Sequence, residues 1–110
     1  MTNMEIDKIT ERIIGCAYKV SNTLGIGFVE KVYENSHAYE MRKDGLRVLQ
    51  QYPVKVIYDE IVVGDFCLDM LVNDTVIVEV KAVSTPHRLG KYQSYKSFIN
   101  PSLFIIVIAS

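Results

Sequence analysis

The sequence predicts an α/β sandwich with a small mixed sheet flanked by helices, in the order ααβββββαβ. Three observations carry this. Residues 1–43 have apolar positions at helical spacing. Residues 46–81 are short runs rich in β-branched and aromatic side chains, punctuated by Pro53, Asp59-Glu60 and Gly64-Asp65. A helical segment broken by Asn100-Pro101 precedes a final, almost purely apolar run.

In the first helix, Ile6, Ile9, Ile13, Ala17, Val20 and Leu24 form one stripe at steps of three and four. Thr2 and Glu5 have capping-box spacing, and Gly25-Ile26-Gly27 ends the helix. The second helix is expected over residues 28–43, with Val29, Val32, Tyr33, Ser36 and Tyr39 inward and Asp44-Gly45 as its stop. Strands are expected at residues 46–51, 54–58, 61–63, 66–72 and 76–81. Val76-Ile77-Val78 does not alternate, so that strand should be central and covered on both faces. A third helix is expected over residues 87–99, and the last strand, residues 103–108, returns through it as a crossover.

At 110 residues the chain is expected to form one domain, residues 1–110. That length suffices to bury roughly 60–70% of the unfolded surface without a disulfide or metal staple. The longest apolar run falls far short of a membrane span, and MTNMEIDKITER lacks a signal-like leader. Cys16 and Cys67 match no metal spacing and read as core thiols of a reducing cytoplasm. A net charge of −1 excludes bulk electrostatic binding of nucleic acid, so any such binding needs a local basic patch or a bound cation.

The anomaly is Val76-Ile77-Val78-Glu79-Val80-Lys81, an apolar strand that ends with a carboxylate and an ammonium on one face. Charges enter a β core only when paired or metal-bound, because their desolvation costs several kcal/mol. Asp69 interrupts the preceding strand in the same way. Two carboxylates suit a hard divalent cation, and a lysine beside them can orient a water. The hairpin loop decides whether they meet. A two-residue loop, Asn73-Asp74, sets Asp69 against Val78, on the wrong face for Glu79. A three-residue loop, Asn73-Asp74-Thr75, sets Asp69 against Glu79, and this is the expectation.

Asp69 followed by Glu79-Val80-Lys81 resembles the D…ExK core of the PD-(D/E)xK nuclease superfamily. Gly27-Phe28-Val29-Glu30-Lys31-Val32-Tyr33 resembles the signature of its GxxExxY family. The likeness extends to Gly45-Leu46, to Gln51-Tyr52-Pro53-Val54 and to Ser94-Tyr95. Lys91 departs from it, standing where relatives often carry Gln.

The resemblance implies a restriction-endonuclease-like fold and a metal-dependent nuclease, a hydrolase of phosphodiester bonds in nucleic acid, DNA being the expected substrate. It implies that Asp69 and Glu79 bind Mg²⁺ or Mn²⁺, that Glu30 completes the metal site and that Lys81 serves the attacking water. Tyr33 and Glu34 lie near Glu30 on its helix, as does His37, and Tyr33 is a candidate substrate contact. Glu34 itself reads as a solvated helix carboxylate, and His37, which lacks a ligand-spaced partner, as a structural or exposed residue. Arg88, Lys91 and Tyr95 are candidate phosphate contacts at the third helix. A homodimer without membrane association is expected. The alternative function is a non-catalytic nucleic-acid- or protein-binding module that keeps the nuclease fold, and a third reading keeps the chemistry on a small phosphoester.

Overall fold

A computed structural model describes residues 3–25 and 27–81, and the backbone of residues 92–96 and 104–109. Helices α1 (Asn3–Leu24) and α2 (Glu30–Lys43) precede strands β1 (Val48–Tyr58), β2 (Ile61–Val72), β3 (Val76–Lys81), β4 (Tyr92–Lys96) and β5 (Phe104–Ala109). The sheet order is β1-β2-β3-β5-β4, with β3 and β5 parallel and the other neighbours antiparallel. The sheet is therefore mixed, as the sequence predicts. Among the described residues no helix is long and apolar enough to cross a membrane.

The predicted stripe of α1 is the buried one: Ile6, Ile9, Ile13, Ala17 and Val20 face the core. The buried side of α2 is Tyr33, Glu34, His37, Ala38 and Met41, which corrects the predicted inward face. Val29 and Tyr39 are exposed, at 68% and 62%. Two polar residues sit in the true stripe, so apolar periodicity selected the wrong side. A Schellman turn ends α2, with Gly45 N–H donating to Arg42 O and Leu46 N–H to Met41 O, both at 3.0 Å. Gly45 has φ 90°, and Leu46 is buried like Met41 at the other end of the turn. The predicted cap at Thr2 lies outside the described residues.

The first four predicted strands are two long ones. Pro53 does not break β1, because β1 is an edge strand and needs no donor on its outer side. Gly64-Asp65 lies inside β2, where the register with β1 shifts between Val56 and Ile57. Asp59 and Glu60 both have positive φ and form the two-residue hairpin turn from Tyr58 to Ile61. β3 pairs with β2 only over Met70–Val72, leaving the rest of the β1–β2 hairpin as an arm. Ile57, Tyr58 and Ile61 on it are exposed. Cys67 also lies on this arm and is exposed, which corrects its reading as a core thiol; Cys16 is half-buried.

β3 is central, and Val76, Ile77 and Val78 are fully buried, as predicted. Val76, Val78 and Val80 pack with Val48, Met70 and Val72 against α1 and α2. Ile77 packs on the opposite face with Leu71 and Leu68, joined by Val54. The third predicted helix needs correction as well: Tyr92–Lys96 is strand β4, antiparallel to β5. Tyr92 and Tyr95 favour a strand, and β4 covers the edge that apolar β5 would otherwise present. The rest of that predicted helix lies outside the described residues.

Candidate active site

Turn geometry assembles the site. β2 and β3 pair as Val72↔Val76, Leu71↔Ile77 and Met70↔Val78, so the loop is Asn73-Asp74-Thr75 and the register carries Asp69 to Glu79. Asn73 and Asp74 adopt φ 49° and 55°, a conformation that Asn and Asp tolerate better than most residues. Thr75 N–H donates to Val72 O at 3.0 Å, and the Thr75 hydroxyl donates to Asn73 O at 2.9 Å. Asn73 also ties the turn to Arg47, its N–H donating to Arg47 O at 2.8 Å and its Oδ1 accepting from Arg47 N–H at 2.8 Å.

The backbone ladder stops at Met70↔Val78, and side chains continue it. Val80 N–H donates to Asp69 Oδ2 at 2.9 Å, and Asp69 N–H donates to Glu79 Oε1 at 3.4 Å. Burial first, and the Asp69 charge second, push the Glu79 pKa up to about 7. Lys81 pulls it down, the smallest of these influences. By alternation Glu79 and Lys81 share the face of Ile77, turned away from α1 and α2.

β1 is irregular at the same level. Gln50 pairs with Met70 and Tyr52 with Leu68, so Gln51 stands across from Asp69. Gln51 has φ 54°, a strain on the order of 1–2 kcal/mol for such a residue. Its Nε2 donates to Glu34 Oε1 at 2.9 Å. Gln50 Nε2 and Lys31 Nζ both donate to Glu34 Oε2, at 2.6 and 3.1 Å. Glu34 is only 4% exposed, so it is a buried, fully partnered carboxylate rather than a solvated one. Apolar patterning gave no signal for it, because the stripe it shares with Tyr33, His37, Ala38 and Met41 is set by the fold.

The other candidates divide. Glu30 is exposed at the start of α2. Among the described residues no three His, Cys, Asp or Glu side chains gather as a metal-holding group, so Asp69 and Glu79 stand as a pair. Tyr33 is buried, its hydroxyl donating to Gly25 O at 2.7 Å and accepting from Phe28 N–H at 3.3 Å. Its ring meets Phe28 edge-on, centroids 6.2 Å apart. Tyr33 thereby closes the α1–α2 loop, where Gly27 has φ 107°. His37 is buried with Nε2 2.9 Å from Ile13 O; burial holds its pKa below the ordinary value, against the pull of that bond. Arg88 and Lys91 lie outside the described residues, and Tyr95 belongs to β4. Two cavities of about 350 and 330 Å³ are lined by α1, α2 and Asp44, and neither includes Asp69, Glu79 or Lys81.

The PD-(D/E)XK nuclease superfamily matches residues 7–98. The chain belongs to this superfamily. Membership supports a nuclease-type function, a hydrolase with nucleic acid as substrate, and superfamily members typically use divalent metals. No curated protein and no solved structure matches the chain significantly. The donor set fits a divalent cation on this structure's own terms. Asp69 and Glu79 bring carboxylate oxygens together on neighbouring strands, and burial first, then the Asp69 charge, keep Glu79 protonated to near neutrality. A bound cation would replace that proton.

Proposed function

We propose that the chain is a metal-dependent phosphodiesterase acting on DNA, and a member of the GxxExxY family. The observation that carries this is the Asp69–Glu79 pair, set on one face by the three-residue loop with Lys81 two residues on. Asp69 and Glu79 would hold Mg²⁺ or Mn²⁺, with Glu30 completing the shell in the substrate complex. The cation, when bound, supplies a Lewis acid at the phosphoryl oxygen and a more acidic water. Lys81 orients the attacking water and stabilises charge that develops on the phosphoryl group. Asp69, held by Val80 N–H, keeps its second oxygen for the cation. Arg88, Lys91 and Tyr95 remain our candidates for contacts to the substrate, whereas Tyr33, buried with its hydroxyl bonded to Gly25 and Phe28, is withdrawn.

The reading extends to a single catalytic domain spanning residues 1–110, in a cytoplasmic homodimer. The free thiols Cys16 and Cys67 suit a reducing compartment, and a second subunit would cover apolar side chains of the β1–β2 arm. The test is cleavage of single-stranded, duplex and branched DNA and of RNA, with Mg²⁺ and with Mn²⁺. Asp69→Ala and Lys81→Ala should abolish cleavage. Equal cleavage by the wild type and both variants would end the proposal. Metal-free nucleic-acid binding without cleavage would support a binding module instead.

A further inference from the structure

The β1–β2 ribbon reverses its pleat at one level. Val48 and Met70 face the helices, whereas Val54 and Leu68 pack on the opposite face. A regular strand puts residues two apart on one face, so Met70 and Leu68 could not separate without a local inversion. The inversion falls between them, at the level of Gln51 and Asp69, where β1 carries its left-handed residue. It has a second signature: the consecutive side chains of Gln50 and Gln51 both reach Glu34.

We infer that Glu34 and Gln51 are positioning residues for Asp69, and that the bond from Gln51 Nε2 to Glu34 Oε1 holds the pleat inversion that sets the Asp69–Glu79 pair. In a regular ladder Gln51 and Asp69 would project from the same face, and the Gln51 amide would stand beside the Asp69 carboxylate as a competing donor. The left-handed φ takes Gln51 to the helix side, where the buried Glu34 carboxylate keeps it. Asp69 is left to Val80 N–H, to Glu79 and to a cation. The Glu34 carboxylate has the two oxygens this requires, Oε1 for Gln51 and Oε2 for Gln50 and Lys31. The inference rests on the metal-binding reading of the Asp69–Glu79 pair.

The experiment compares Gln51→Ala with Gln51→Gly by calorimetric titration with Mn²⁺, and follows hydrogen exchange at Val80 N–H without metal. Glycine adopts φ 54° without strain and keeps the inversion, whereas alanine favours the regular strand. Gln51→Gly should bind Mn²⁺ within about 3-fold of wild type, and Gln51→Ala about 10-fold or more weaker, the usual scale for residues that orient metal ligands. A merely structural role gives the opposite order, since glycine weakens strands more than alanine. Gln51 is exposed, so both variants should fold; Glu34→Gln, which leaves one oxygen for two glutamine amides, should weaken binding as well. Folded Gln51→Ala with wild-type affinity and wild-type Val80 exchange overturns the inference. Wild-type protein that binds no Mn²⁺ overturns the metal-site reading instead, and Val80 exchange in Gln51→Ala then still decides whether Gln51 sets Asp69.

Discussion

Two carboxylates removed from full solvent in this chain differ in their company. Glu34 is nearly inaccessible and receives hydrogen bonds from Gln50, Gln51 and Lys31. Glu79 is half-buried and faces another carboxylate, with Lys81 the weakest influence on it. Burial without compensation raises a carboxylate pKa, whereas donors offset that cost. Glu34 is thus built into the fold as an acceptor. Glu79 keeps an unmet demand for positive charge, which is what a cation site requires.

The strongest way to break this contrast is to remove the demand. Glu79→Gln should abolish Mn²⁺ binding and lower cleavage by about 100-fold or more. It should leave the melting temperature of metal-free protein at pH 7 unchanged or higher, because it deletes a repulsion rather than a support. Parallel calorimetry and thermal melts check both halves. A marked loss of stability would show that Glu79 is a structural partner like Glu34.

The reciprocal substitution acts on the fold. Glu34→Ala leaves the Gln50 and Gln51 amides without their acceptor at the α2–β1 junction. The expected cost is about 2–4 kcal/mol, read as a shift in the urea midpoint. Destabilisation below about 0.5 kcal/mol would mean that Glu34 is no more embedded than a surface acid.

This asymmetry also explains what could be read in the sequence. Asp69, Glu79 and Lys81 were visible because charge inside apolar strands is anomalous, and period two plus the loop length fixed their common face. The stripe of α1 was visible because it is purely apolar. Glu34 was not, because a glutamate on a helix carries no such anomaly and only tertiary packing buries it. The inward face of α2 was misread for the same reason, with Glu34 and His37 occupying apolar positions. Gln51 gave no signal either: nothing local in Gln50-Gln51-Tyr52 announces a left-handed backbone, which the Glu34 bond sustains. Tyr92–Lys96 was assigned to a helix because its pairing with β5 is non-local.

The pH dependence of stability sharpens the contrast further. The Glu79 pKa rises from 4.5 unfolded to about 7 folded. The folded state therefore holds the proton more tightly, and Glu79 contributes stability that is full below about pH 4.5 and lost as pH rises to about 7. His37 acts in the opposite sense. Burial lowers its pKa below 6.5, so it destabilises the fold as pH falls through that value. The two slopes partly cancel in the wild type, so the comparison is the wild type minus Glu79→Gln, without metal, from pH 4.5 to 7.5. The difference should grow unfavourable to the wild type with rising pH, and saturating Mn²⁺ should remove it. A flat difference would mean that folding leaves the Glu79 pKa where it is in the unfolded chain, with no demand for a cation.

The smallest effect belongs to a carboxylate with a cation beside it and no burial. Asp74 pairs with Arg47 at the β2–β3 turn, and both side chains are mostly exposed, at 60% and 64%. Asp74→Asn removes the charge while keeping a residue that tolerates φ 55°. The change should stay within about 0.5 kcal/mol and shrink further in 0.5 M salt, as for other solvated ion pairs. Mn²⁺ affinity should not move. Pairing alone then carries little energy in this chain, and the large effects at Glu34 and Glu79 arise from burial acting on partners of opposite kind. A large Asp74→Asn effect would place the demand for charge in the turn rather than in the strands beyond it.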